Sequence, residues 1–531
     1  MKRLIALTLS AFMLTAVFAA CGQRKESSSA GSVLSDSDSK VSSSVSTDND
    51  GKEDPSGETP QSFDEDPYEL TVCYAVAGEA QPDLPMIQEK LNEITLAEIN
   101  TRVTLEPVNL FSMANTYALK ASSQEKMDLM VLFPGNRYMG SFANNNLIIP
   151  LDEYLEKDGQ TIIEVMGDML PVGQFKGIQY AIPQNRNIRT SGSGFGFVMS
   201  FCEKYDINIK DMKTIDDVEA SFAMIKENEP EIVVVAPESV GSTIAGVLAP
   251  QYDNLGSYVG ALSVEDDGTL KVINYFETED YMNSAKKARE WFELGYISRD
   301  VLTSQEAGSE MNLAEKSFCN TISSVDQSVV GDATEMVMLE SGKPLLTTAD
   351  DQQVMWAIPV TAEDPEQSMK FLNLCFESAD IANLMMYGVE GIHHRALEDG
   401  IIDMEDEDGN PMYNSWANWW YMFGDYNKLK IRADMIEKVS STNSVEEFLE
   451  VTENWAYDIS PAYGFTFDPD PVANEIAACD DVYNEFVAAI GNGTVDPESE
   501  IPKFNERLYS AGLQTIIDEK QVQLDAWLET Q

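Results

Sequence analysis

The chain has 531 residues, 43% of them hydrophobic, and a formal charge of -55 from 90 acidic against 35 basic side chains. This excess of carboxylates argues against nucleic acid or an anionic surface as a partner. It does not fix the sign of a small ligand, and the length accommodates two lobes with separate cores better than one.

Lys2 and Arg3 precede an apolar run, 4–20, that ends in Phe18-Ala19-Ala20 directly before Cys21. A basic start, a short apolar stretch and small residues at a cut site make 1–20 a secretory signal peptide. A cysteine at that cut is where a bacterial lipoprotein signal peptidase leaves a thiol to carry diacylglycerol, so Cys21 is the expected lipidation site. The mature chain is then expected on the outer face of the bacterial cell membrane, held by its lipid alone, because no later stretch is apolar enough to span a bilayer. Residues 21–66 are mostly Ser, Asp, Gly, Glu and Thr. Such a segment buries too little surface to offset its ordering entropy and reads as a disordered tether.

From there strands and helices alternate. YELTVCYAV (68–76) reads as a strand covered on both faces, followed by a helix with Ile87, Leu91 and Ile94 on one stripe. A second strand over 102–108, a second helix over 111–121 and a third strand in DLMVLF (128–133) complete βαβα order, hence a mostly parallel sheet with ligand-facing loops at its carboxyl ends. Extended segments are expected at 180–183 and 196–199, with a polar stretch between them. A capped amphipathic helix follows over 214–226, then a buried strand at 231–236. Near the C-terminus, Val472, Ile476, Cys479, Tyr483, Phe486 and Ile490 form one helical stripe, and Leu513, Ile517, Leu524 and Leu528 another.

Chemistry-bearing patterns are few. His393 and His394 are the only histidines and are adjacent, so a His-based zinc site, a Ser–His triad and a Cys–His pair would all depend on one of them. No G-x-S-x-G turn, Walker loop or dinucleotide fingerprint occurs. No catalytic residue, metal or cofactor is therefore assigned. The acidic turns at 265–268 and 403–409 read as hairpin turns rather than calcium loops, since an EF-hand frame on Gly409 begins on Met404 and ends on Ser415. The five cysteines after Cys21 are scattered in apolar surroundings and read as small buried hydrophobes.

Several segments, in order, resemble the solute-binding lipoproteins of ABC importers, in the branch serving carbohydrates. They are the signal, DLMVLF and its loop, LDEYL (151–155), GIQYAIP (177–183), EKYDI (203–207) and EWFELGYI (290–297). PEQSMKFLN (365–373), YGVEGIHH (387–394) and the stretch from GFTFDP (464–469) to Trp527 resemble a narrower subfamily with a C-terminal domain of unknown function. The likeness departs at Ile392-His393-His394-Arg395, where a Lys and a Tyr are expected around the first His.

The resemblance implies an α/β, two-lobed, periplasmic-binding-protein-like type II fold whose lobes are joined by hinge crossovers and close on a solute. Carried over, the first lobe is 67–196 plus 358–392 and the second 197–357 plus 393–531 with a C-terminal helical region. Crossings are expected near 196–200, near 356–359 and just after Gly391. The implied partners are a small-molecule solute and ABC permease subunits, with the protein a monomer. In the second lobe, NSWANWWYMFG (414–424) gathers Trp416, Trp419 and Trp420, flat faces on which a sugar can stack. First-lobe counterparts are Tyr74, Asn136, Tyr138, Gln184, Asn185, Tyr387 and Glu390; Trp291 is expected in the core. Rival readings are a receptor for a peptide or other small solute on the same fold, and a surface glycoside hydrolase with a carboxylate pair.

Overall fold

A computed structural model describes residues 63, 65–186, 189–190, 192–325, 334–397, 400–417, 423–439, 444–453 and 456–531. The signal peptide, Cys21 and nearly all of the tether lie outside the described residues, as do Trp419 and Trp420.

The first sheet runs in the order Thr101–Asn109, Tyr68–Val76, Leu129–Leu132, Met355–Ala357, Ile182–Pro183. Its first three strands are parallel, as the βαβα order requires, and Met355–Ala357 pairs antiparallel with both neighbours. Helix Leu84–Ile99 buries Ile87 and Leu91 against this sheet, and helix Pro365–Glu377 returns to it with Phe371, Leu372 and Cys375 inward. Each such side chain taken fully from water contributes about 1.5–3 kcal/mol before entropy is counted. Among the described residues the outer strand Thr101–Asn109 has a strand partner on one side only. Helix side chains serve it instead: Val103 and Leu105 N–H groups donate to Asn92 and Gln88 at 2.6 and 2.8 Å. That blunts an otherwise open edge. Asp128, fully buried, accepts from the Tyr68 hydroxyl at 2.6 Å and the Thr71 N–H at 2.8 Å, so its charge is hydrogen-bonded.

The second sheet runs Thr334–Met338, Gly192–Val198, Ser317–Val325, Val233–Ala236. Its core is aromatic, with Phe222 edge-on to Trp291 at 5.0 Å and Phe197 to Phe318 at 5.3 Å. A Cβ at Gly194 would stand 1.9 Å from the Val337 carbonyl, so only glycine lets these strands approach. Helix Ile215–Asn228 starts in a capping box, with Thr214 and Asp217 satisfying each other's backbone N–H.

A third core joins the C-terminal helices Ala473–Gly491, Pro497–Ala511 and Leu513–Leu528 to the hairpin Ala261–Val264/Leu270–Ile273. Its turn is the acidic 265–268 segment, as expected. The second acidic turn is also a reversal: Asp406 accepts from the N–H groups of Asp408 and Asn410, and Glu405 bridges Pro411. Cys73, Cys202, Cys319, Cys375 and Cys479 are all buried, and none is in a disulfide among the described residues.

Three boundaries differ from expectation. Strand Gly192–Val198 lies wholly within the second sheet, so the first passage precedes it rather than falling at 196–200. Strand Met355–Ala357 already belongs to the first sheet, so the second passage precedes it, through Leu345–Leu346 and Thr348–Asp351. After Gly391 the chain does not leave. Ile402 and Met404 pack on Met386 and Tyr387 of helix Ala379–Tyr387, and Trp416 and Phe423 enter the first core. The described residues between His393 and Phe423 therefore pack with the first body rather than the second. An extended apolar tripeptide looks the same inside a sheet and in a linker, which is why these boundaries slipped.

Candidate ligand-binding site

The carboxyl ends of the first sheet's parallel strands carry the loops where a ligand of such a sheet is expected. The loop after Tyr68–Val76 is tied to the segment at 415–417. Asp83 N–H donates to the Ser415 carbonyl at 3.2 Å, and Gln81 Nε2 to the Ala417 carbonyl at 3.3 Å. The Ser415 side chain and His393 hold the Asp83 carboxyl below the usual carboxylate range. His393 is fully buried; its Nδ1 accepts from Val389 N–H at 2.9 Å, which leaves the proton on Nε2 to face Asp83 at 3.1 Å. Gly388 permits this packing: at φ +77° it has no side chain, and a Cβ there would strike His393 and Trp416.

Trp416 is a correction to the expected stacking surface. Its ring is fully buried, tilted against Tyr74 at 6.4 Å, and its indole N–H donates to the Met385 carbonyl. A ring so enclosed has no face left for a sugar. Tyr74 is buried too, its hydroxyl donating to Gln81 at 3.1 Å, and burial pushes that phenol well above its ordinary range. Tyr387 is likewise buried, its hydroxyl donating to the Lys430 carbonyl, whereas Glu390 is exposed beside Lys430 at 3.5 Å.

The remaining candidates fall in two places. Gln184 and Asn185 are buried on the first passage, and Asn185 Nδ2 donates to Asp425 at 2.8 Å, beside the segment that carries Trp419 and Trp420 in sequence. Asn136 and Tyr138 lie in the first turn of helix Gly135–Asn144, at the end of the central strand Leu129–Leu132. Tyr138 is half-buried and stacks on Phe142 at 5.7 Å. The structure brings Tyr74 and Trp416 together and leaves Tyr387 and Glu390 in a separate group with Lys430.

Sequence reasoning expected crossovers between the lobes but not the contacts that tie them to one another. Arg189, on the first passage, pairs with Asp351 on the second, and both bond Tyr463 on a third passage after strand Asp458–Ile459. That strand runs beside Leu345–Leu346, and Gln352 Nε2 reaches Val172 and Thr466, both at 2.8 Å. The three partners are spread over 275 positions, so no local motif marks them. Among the described residues no group of three His, Cys, Asp or Glu side chains is arranged to hold a metal ion.

Known proteins share this fold. A crystal structure of the N-glycan transport solute-binding protein NgtS from Streptococcus pneumoniae superposes with a TM-score of 0.71 at 23% identity, over 87% of this chain and 99% of that one. A human-milk-oligosaccharide-binding solute-binding protein from Bifidobacterium longum infantis ATCC 15697 gives 0.62 at 14%, over 87% and 99%. A curated carbohydrate ABC transporter substrate-binding protein of S. pneumoniae serotype 4 (strain ATCC BAA-334 / TIGR4) is 25% identical over 468 residues, 85% of this chain and 90% of its own length. Residues 461–529 match the domain of unknown function DUF3502.

Over most of its length the chain is similar to carbohydrate-binding solute-binding proteins of ABC importers. Its fold is the two-lobed one of that class, and its relatives are binding proteins rather than enzymes. The DUF3502 match starts beside the third passage and spans the helices of the third core.

Proposed function

We propose that this protein captures an oligosaccharide between its two lobes and hands it, unchanged, to an ABC permease. The observation that carries the reading is the hinge: three passages between two α/β bodies, knotted at Arg189, Asp351 and Tyr463. Such a joint suits closure driven by ligand, because a solute that touches both lobes binds the closed form more tightly and shifts the population towards it. The saccharide class is supported by the relatives: NgtS is solved with Man1GlcNAc and Man5GlcNAc, and FusA of S. pneumoniae, which shares the fold, with kestose. Lipid on Cys21 would anchor the protein outside the cell, the tether 21–66 giving the lobes reach to a permease.

A thermal-shift panel tests this. Mannose-containing N-glycan fragments, fructo-oligosaccharides, milk oligosaccharides and short peptides are each added to the protein and the recovered compound is analysed. The reading predicts a rise in Tm with at least one saccharide, recovered intact. A shift only with peptides, or recovery of cleaved sugar, would refute it.

A further inference from the structure

Lys520, on the last helix and within the DUF3502 match, is fully buried. Its ammonium donates to the carbonyls of Asn254, Val259 and Gly260 at 2.7, 2.7 and 2.8 Å, and the Ser257 carbonyl stands at 3.4 Å. All four oxygens belong to one loop, between the short helix Ala245–Leu248 and strand Ala261–Val264. Positive φ at Leu255, Gly256 and Gly260 lets so short a loop turn its carbonyls onto one point. The Phe467 ring lies 5.4 Å from the same ammonium, within cation–π range. The next residue, Gln521, sets the helix in register: it accepts from Val272 N–H at 2.8 Å and donates to the Leu270 carbonyl at 3.2 Å.

A charge taken out of water is costly unless other dipoles replace its hydration. Burial favours the neutral amine and pulls its pKa from 10.5 down to about 7, with the Asp253 charge opposing. The carbonyls oppose it further. An ammonium has three hydrogens for three near oxygens, whereas a neutral amine has two and would turn its lone pair on the third. A ring of carbonyl oxygens standing in for a hydration shell is also how a protein holds a bare potassium ion. The loop is tied in turn to the hinge. The Asp253 carboxylate accepts from Leu255 N–H at 2.8 Å and from the Ser460 hydroxyl at 2.6 Å. Ser460, on the third passage, donates its N–H to the Leu346 carbonyl on the second at 2.8 Å.

We infer that loop 253–260 is a cation site filled by the chain's own Lys520 ammonium, and that this tethered cation fixes the second and third passages to the second body through Asp253 and Ser460. The ligand class of the site is a primary ammonium or a monovalent ion that carbonyl oxygens can coordinate. The last helix of the DUF3502 match thereby acts on the hinge from a distance, by ordering the loop that holds it. The inference is independent of which solute the lobes capture.

The test is chemical rescue of the full chain carrying Lys520→Ala, with n-propylammonium as the probe because it replaces the atoms removed. Tm is expected to fall by about 5 °C or more, and n-propylammonium chloride to restore about half of that loss. Tetramethylammonium chloride at the same ionic strength, which has no hydrogen to donate, should restore none. Hydrogen exchange read by mass spectrometry should speed up in 251–262 and in 458–464, slow again with n-propylammonium, and stay at the parent's rate in strand Leu129–Leu132. Lys520→Met, which fills the space without the charge, should melt below the parent and respond to neither salt. A Lys520→Met variant as stable as the parent, or equal rescue by the two salts, would overturn the cation site. Faster exchange confined to 251–262 would overturn its link to the passages. If Lys520→Ala does not fold in plain buffer, refolding in n-propylammonium but not in tetramethylammonium supports the site, and refolding in neither overturns it.

Discussion

Trp416 shows how one residue's role turns on its surroundings. In sequence it belongs to a run of aromatics and amides that suits sugar contact. In the fold it fills the first core, with its N–H satisfied by the Met385 carbonyl. Periodicity reveals which residues are apolar and not which of them are covered. Trp416→Ala should therefore cost about 3–5 kcal/mol in urea unfolding, a core truncation, with any loss of ligand affinity following from loss of fold. A variant that melts like the parent yet loses binding would return Trp416 to the cleft. His394 supplies a pH signature. Burial lowers its pKa below the ordinary 6.5, and its ring faces the Tyr387 carbonyl at 3.2 Å. The unfolded chain thus takes up the proton first. The contribution to stability is present above about pH 6.5 and is lost as pH falls towards the lower, folded-state value. Measured against His394→Gln, the parent should lose relative stability between pH 6.5 and 5; parallel pH profiles would contradict this.

At the scale of elements, the alternation after residue 66 was legible because each strand there is a run of apolar residues with turn residues on both sides. YELTVCYAV and EIVVVA were read within two residues of their observed bounds. The stripe on helix Ala473–Gly491 was legible because a 3.6-residue period survives tertiary context. The passages were not, because a hinge is made of short extended pieces that owe their conformation to partners far along the chain. Arg189, Asp351 and Tyr463 show this best. Asp351 is almost fully buried and Arg189 largely so. Asp351→Asn should leave the guanidinium unpaired and cost roughly 2–4 kcal/mol by urea unfolding. Tyr463→Phe keeps the ion pair and should cost only about 1 kcal/mol. Equal losses in the two variants would show that the pair is not what holds the hinge.

Over the whole molecule, two sheets with separate cores were expected from length and order alone, and the resemblance supplied how they are joined. The candidate site was less legible than the fold. Tyr74, Tyr387 and Trp416 proved to be covered, whereas Asn136 and Tyr138 sit on the helix whose last residue, Asn144, bonds Asp468 and Asp470. A binding cleft is assembled from residues hundreds of positions apart, and nothing in their local sequence marks the pairing. Capture requires the two walls to approach each other around a saccharide. Small-angle X-ray scattering of the full chain, with and without a saturating oligosaccharide that raises its Tm, reads that approach. A smaller radius of gyration in the bound state is the predicted result, and an unchanged one at demonstrated saturation would contradict it.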